Sequence, residues 1–411
     1  MTIRGRSAEI AGAGLSGLFL GAALAQRGWR VTIHERSADL RMFGAGIWLW
    51  ENGLTALESI GAYEQTVRRA QRISSWDIVD HRSSIIRRRP FRPGDRMIVP
   101  LREDLYNALI AAARAGGAEI LTSSVVRTAG PDGVLAMADG SSRQADLVVG
   151  ADGLRSSVRE SLGLTKHFQS LGNGAIRMLI PRARGESVHI SEEHWSGNRV
   201  LLYNPCGPDH IYLCFVCPTS DLKGKRVPID KVAWTESFPT LAGVIARVGN
   251  QGRWDDFETV EATRWFSGRV AIVGDAAHGQ PPWLGQAANL AFANTLALAE
   301  FVTYYSNVEA ALQAWEQHQR PVTDHTERWT NLYGRIVNVW PPSMQGMRSL
   351  ALRTFVGLPF IETMLNVAPR TPVVTNGSAH RGGAKLGLVS PEREVVAAAG
   401  AAPRELRRSD E

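Results

Sequence analysis

Long hydrophobic runs are missing from this sequence. No window of the 411 residues approaches roughly 18 uninterrupted apolar positions, so no helical membrane span is expected. The start, "MTIRGRSAEIAGAG", has a basic flank, but Glu9 and the glycines interrupt any signal-type apolar core, and a cytoplasmic protein is expected. Cysteine is scarce too. Cys206, Cys214 and Cys217 are the only three, in one short stretch, with no second Cys or His pair at zinc-ligand spacing. "CFVC" lies inside the strand-like run "HIYLCFVCP", where Cys214 and Cys217 point to opposite faces. Buried inert thiols are therefore expected, and no metal.

Concentrated positive charge is also absent. The formal charge is +6, but the arginines are scattered except in "RRRPFR", Arg87 to Arg92, which reads as a solvated edge without an aromatic ladder. Nucleic acid is not an expected partner. There is no internal repeat. With 44% apolar and 21% charged residues, the chain has the composition of a soluble globular protein long enough for two domains.

What is present begins with "AEIAGAGLSGLFLGAALAQRGWRVTIHER". It reads as strand, helix and strand, with Gly12, Gly14 and Gly17 at the first turn. The first glycine permits the tight turn, the second lets a diphosphate approach the backbone, and the third lets the helix pack on the sheet. The diphosphate belongs at the helix N-terminus, where N–H groups lack partners. Glu35 ends the second strand, where an acidic residue can bind ribose hydroxyls.

Two more buried strands run into Gly/Asp turns, "DLVVGADG" at Asp152-Gly153 and "RVAIVGDAAH" at Gly274-Asp275. Strand C-termini converge in an open parallel sheet, so three such turns suit a long dinucleotide carrying a polyol, which is FAD. Between them, residues 166–263 alternate short strands and turns and read as an inserted, largely antiparallel sheet. The expected fold is α/β: a Rossmann-like FAD-binding domain (1–75, 99–165 and 264–340), a substrate-binding β-sheet domain (76–98 and 166–263), and a C-terminal helix and tail (341–411). One helix is expected over 344–365, followed by a poorly ordered Pro/Gly/Ala/Arg-rich tail.

The set "GAGLSG…HE", "LREDL", "GADGLRSSVR" and "GDAAHGQPPWLGQAAN" resembles the single-component FAD-dependent aromatic hydroxylases, the para-hydroxybenzoate hydroxylase-like monooxygenases. The resemblance covers about residues 7–340, with the motifs in the family's order. "FGAGIWLWENGL", "GAIRMLIPR", "VPIDKVAWTESFP" and "AWEQHQRPVTD" resemble the branch acting on hydroxypyridine carboxylates.

The resemblance implies cofactor contacts from Gly12, Gly14, Gly17, Glu35, Arg36, Gly46, Arg102, Asp152, Gly153, Gly274, Asp275, Gly285, Gln286, Ala287, Ala288 and Asn289. Asp275 would hold the ribityl chain, and the turn from Gly285 would border the flavin ring. Pro282, Tyr212 and Arg177 are the catalytic candidates, and Trp48, Trp76 and Trp283 join them around the substrate. Arg177 reads either as a ligand for an anionic substituent or as half of an ion pair. His278 reads as a packing residue near the turn rather than a base. Where the branch has a substrate-side arginine, this chain has Val200, with Arg199 one place off and hence on the opposite face.

The implied activity uses NADH or NADPH and O2 to hydroxylate, or also open, an aromatic or N-heteroaromatic hydroxy compound such as a hydroxypyridine acid, through a flavin C4a-hydroperoxide. Alternatives are an NAD-dependent dehydrogenase, an FAD oxidase or reductase of the same fold, and a non-enzymatic flavin redox sensor. A homodimer is compatible with this reading, and the oligomeric state stays open.

Overall fold

The computed structural model describes residues 5–40, 44–92, 94–338, 340–355 and 358–375. Its first layer is a six-stranded sheet. Ser7–Ala11 lies in the middle, parallel to Leu147–Gly150 on one side and Arg30–His34 on the other. Glu119–Leu121 and Val270–Ile272 extend it in parallel, and Phe266–Ser267 closes one edge antiparallel. The central strands are short and apolar because both faces are covered, by helices and by a three-stranded sheet (Val126–Gly130, Val134–Met137 and Ser142–Gln144) whose Ala129, Leu135 and Met137 join the same core. The helix Leu15–Ala25, "LSGLFLGAALA", is apolar all round and nearly every residue is buried. It packs between the helices Arg102–Ala115 and Ala287–Tyr304. This is the α/β dinucleotide architecture expected from the sequence.

The second layer is a seven-stranded sheet. The strands Trp254–Ala262, Thr165–Pro181, His210–Pro218, Arg199–Cys206 and Ile190–Ser196 are antiparallel neighbours. Ser75–Val79 then pairs in parallel with Ile190–Ser196, and Ile85–Pro90 forms the far edge. Alternation decides the faces. Tyr212, Cys214 and Val216 join one apolar cluster, whereas Leu213, Phe215 and Cys217 join another on the reverse side. The three thiols are free and buried.

Two expectations are corrected. The stretch 344–365 is two helices, Gln345–Phe355 and Pro359–Leu365, because a proline lacks the N–H needed to continue a helix and suits its first turn. Nor is "RRRPFR" simply a solvated edge. Arg88 is exposed and pairs with Asp77, but Arg89 stacks over Trp50 and Phe91 and bonds Asn366. Helix Gln345–Phe355 packs on that edge strand, so alternate arginines are covered. Most of the expected tail, 376–411, lies outside the described residues. Among those described, no helix is long and apolar enough to cross a membrane.

Candidate functional site

The three Gly/Asp turns meet at the C-terminal ends of the parallel strands. Gly12 has φ 102°, its N–H donates to the His34 carbonyl at 2.7 Å, and a Cβ there would stand 2.5 Å from the Ala151 carbonyl oxygen. Gly17 packs on the Gly12 carbonyl with no room for a side chain. Gly14 differs: nothing approaches within 4 Å of where its Cβ would be, and the helix it opens has no side-chain cap. The turn is therefore tight behind and open in front, as an approaching diphosphate requires.

Glu35 is fixed by the Ala13 N–H at 3.0 Å and the Ser37 N–H at 2.9 Å, and Arg36 beside it is exposed. Asp152 accepts from Ser157 Oγ and Val158 N, both at 3.2 Å, through Oδ2. Its Oδ1 is buried without a partner, and Gly153 follows at φ 83°. Gly274, at φ 59°, lies directly against Ser16 and brings Asp275 beside the first helix. Asp275 is walled in by protein yet reached by solvent, so it fronts a deep crevice. Burial pushes its carboxyl up, and the nearby Arg102 guanidinium opposes this. An open helix N-terminus, an orphaned carboxylate oxygen and a solvent-reached acid in one trench fit a dinucleotide with ribose and polyol hydroxyls.

Beyond Asp275 lies a cavity of ≈ 330 Å³ whose lining includes Trp48, Arg102, Arg177, Tyr212, Pro282 and Trp283. One wall is the turn before helix Ala287–Tyr304. Gly285 is left-handed at φ 63°, and a Cβ there would meet the Trp48 ring at 2.8 Å. Ala287, Ala288 and Asn289 are the first three helical residues, so their N–H groups have no intrahelical acceptor. The Asn289 side chain is consumed internally: Nδ2 donates to the Trp48 carbonyl at 3.0 Å and the Gly285 carbonyl at 2.8 Å, and Oδ1 accepts from Trp50 N–H at 2.9 Å. Gln286 accepts from Asn52 at 3.2 Å, and its buried Nε2 has no partner.

The opposite wall is the seven-stranded sheet. Tyr212 packs against Gly46, where a Cβ would stand 2.8 Å from the ring. Burial holds the Tyr212 phenol well above its ordinary value, so it stays protonated. Arg177 makes a loose 3.4 Å ion pair with Asp255 and lies over Phe257, so the ion-pair reading is the one seen in the structure. Arg102 and Arg177 face the same cavity. Burial first, then Arg177, lowers the Arg102 pKa. Trp48 donates to Asn204 at 2.9 Å and meets Trp76 edge-on at 5.1 Å. Trp76 stands behind Trp48 rather than in the cavity lining. Trp283 packs edge-on to Phe257 at 5.6 Å, with its indole against Gly334.

His278 is outside this lining. It is buried against Trp265 and bonded by Asn294 at 3.1 Å, and burial lowers its pKa to about 4. Val200 is buried on the cavity side of its strand, whereas Arg199 points away to Asp221 at 2.6 Å.

Sequence reasoning missed several lining residues: Glu193, Leu202, Cys214, Val216 and Asp255. Alternation from Tyr212 along "YLCFV" could have found Cys214 and Val216. Glu193 is the notable one. It is 2% exposed, accepts from Trp195 Nε1 at 2.8 Å and Tyr333 Oη at 3.3 Å, and burial pushes its carboxyl up to about 7.

A family model described as "FAD binding domain" matches residues 7–330. The chain is 36% identical over 355 residues to a 2-heptyl-3-hydroxy-4(1H)-quinolone synthase of Mycobacteroides abscessus, covering 82% of this chain and 92% of that one. The tetrameric form of 2-methyl-3-hydroxypyridine-5-carboxylic acid oxygenase superposes with a TM-score of 0.79 at 34% identity, over 90% of this chain and 98% of that one. Klebsiella pneumoniae HpxO, complexed with FAD and uric acid, shares the fold at a TM-score of 0.80 and 20% identity, over 90% and 98% of the two chains.

Proposed function

Because this chain belongs to the FAD-binding-domain family of single-component aromatic monooxygenases, we propose that it hydroxylates a flat N-heteroaromatic ring bearing a ring oxygen, of the hydroxypyridine–hydroxyquinoline class. The observation that carries this reading is the ≈ 330 Å³ cavity between the N-terminus of helix Ala287–Tyr304 and a wall of Trp48, Tyr212 and Trp283. FAD held there and reduced by NADH or NADPH would activate O2 for transfer to the ring. The cofactor segments are 1–75, 99–165 and 264–340, and the substrate segments are 76–98 and 166–263.

On this reading Gly12, Gly14 and Gly17 hold the diphosphate, Glu35 and Arg36 the adenosine side, and Asp152, Gly153, Gly274 and Asp275 the hydroxyls. Gly46, Arg102, Gly285, Gln286 and the N–H groups of Ala287, Ala288 and Asn289 border the flavin ring. The helix dipole there favours negative charge on its reduced form. Pro282 and Trp283 shape the substrate's edge, Trp48 stacks on it, and Trp76 braces Trp48. Arg177 and Tyr212 donate to the ring oxygen, stabilising the charge that builds there as the ring attacks.

The relatives support two substrate types, a quinolone and a pyridine acid. Arg102, Arg177 and Arg253 outnumber Glu193 and Asp255 in the lining, and Asp255 is paired with Arg177 and Arg253. The Glu193 end, however, carries no cation among the described residues, which suits a neutral ring N–H and favours the quinolone type. The test is substrate-stimulated NADH and NADPH oxidation with FAD-loaded protein, using 4(1H)-quinolones, hydroxypyridine acids and phenolic acids, with product mass measured. Hydroxylated quinolone is the expected product. Reduced-nicotinamide oxidation that no ring compound accelerates would leave an oxidase or sensor instead.

A further inference from the structure

The floor of the cavity is a single row of side chains crossing four strands. Glu193 is registered with Leu202, Leu202 with Cys214, and Cys214 with Arg177. Residues directly opposite in a sheet project to the same face, and all four line the cavity. The row therefore begins in a carboxylate and ends in a guanidinium, with an apolar residue and a buried thiol between them. Three strand spacings separate the ends, about 14 Å between backbones.

Glu193 is not explained by structural pairing. Among the described residues it has no ion-pair partner. Its two donors, Trp195 Nε1 and Tyr333 Oη, take one oxygen each, whereas an ionised carboxylate offers about four acceptor sites. Trp76 Nε1 lies near the same carboxyl and has no hydrogen-bond partner. A buried acid without a counter-ion is costly in its ionised form, and acids perturbed in this way cluster at functional sites.

Resting on the monooxygenase reading above, we propose that Glu193 is a substrate-contacting base: it accepts the ring N–H proton of a neutral 4(1H)-quinolone-type substrate whose ring oxygen lies toward Arg177. The N–H bond breaks, the proton passes to a Glu193 oxygen, and the electron pair stays in the ring, where it raises electron density at the carbon beside the ring oxygen. That carbon forms the new C–O bond with one atom of O2 as the O–O bond breaks; NAD(P)H supplies the two electrons, and the other oxygen atom leaves as water. The carbon's own proton is released, the ring nitrogen recovers its proton from Glu193, and the base is restored.

The surroundings suit this exchange. The titratable groups facing Glu193 are Tyr333 from helix Val308–Asn338 and Cys214 from His210–Pro218, with Arg87 of the edge strand acting on Tyr333 from beyond. Tyr333 and Cys214 both stay protonated, held up by burial, so Glu193 is the group that titrates near neutrality. A carboxylate substrate would instead bring a second anion to this end of the row.

The experiment uses full-length, FAD-loaded Glu193→Gln, Tyr333→Phe and unaltered protein, with 2-methyl-4(1H)-quinolone and its N-methyl counterpart as probes. Glu193→Gln should keep FAD and its melting temperature, yet lose ~10²-fold or more in kcat/KM for the N–H compound. It should lose the acid limb of the pH profile and no longer discriminate between the two probes. Tyr333→Phe should move that limb to higher pH, because one hydrogen bond to the ionised carboxyl is gone. Difference infrared spectra on quinolone binding should show a protonated carboxyl that disappears in Glu193→Gln. Unchanged kcat/KM and pH profile in Glu193→Gln would overturn the proposal, as would turnover of hydroxypyridine acids alone. Glu193-dependent protonation on binding without any hydroxylation would sink the proposed activity and keep this assignment.

Discussion

Asn289 holds Trp48. Its Nδ2 donates to the Trp48 carbonyl at 3.0 Å while its Oδ1 takes the N–H of Trp50, so one amide clamps a cavity wall to the helix that borders the cofactor turn. Asn289→Ala leaves the Trp50 N–H and the Trp48 carbonyl buried without partners. Each orphan costs ~1–3 kcal/mol. The expected outcome is a lower melting temperature together with slower hydroxylation, measured on FAD-saturated protein. Unchanged stability would mean that the clamp is redundant.

Asp275→Ala removes the solvent-reached acid that lies near Arg102 at the Gly274 turn beside the first helix. FAD affinity should fall by about tenfold or more, the worth of a charge-assisted hydrogen bond. Equilibrium dialysis with FAD reads it directly, and retention of wild-type affinity would put the polyol elsewhere.

Arg177→Ala should leave FAD content intact and reduce kcat/KM by about 10–100-fold for substrates carrying a ring oxygen. Tyr212→Phe should do the same more mildly, since the buried phenol contributes as a donor. If both variants lose FAD instead, the two residues belong to the cofactor side of the cavity.

Glu327 sits beside Asp324 and Glu261, and burial pushes its carboxyl up to about 7 from 4.5. An acid with a raised folded pKa binds its proton more tightly in the folded state. Its stabilising contribution is complete below about 4.5 and is lost as pH rises through about 7. Glu327→Gln should therefore raise the melting temperature at pH 8, by the equivalent of ~1 kcal/mol after screening, and do little below pH 4.5. Equal gains at both pH values would remove ionisation as the cause.

The dinucleotide half was legible because its signals are local. Gly12, Gly14 and Gly17 do three different jobs within six residues, and the alternation in "HIYLCFV" sorts its own side chains. Long-range cover was not legible. Arg89 looks solvated from its neighbours in sequence, but the residue that bonds it is Asn366, from the far end of the chain. Glu193 escaped for a related reason. In "SEEHW" two glutamates follow one another, and only the sheet register shows that one of them faces the cavity. Asn289 was read only as a backbone contact of the turn; that its side chain ties together two walls far apart in the sequence could not be read from its neighbours.

The row from Glu193 to Arg177 has a direction, because opposite charges mark its two ends. A planar ring laid along it can be turned end for end, and the two placements bring different carbons beneath the oxygen source. Regiochemistry is then written in how four strands are aligned, as a compass bearing rather than a lock. Exchanging the two end residues, Glu193→Arg with Arg177→Glu, would reverse the bearing and move the new hydroxyl around the ring.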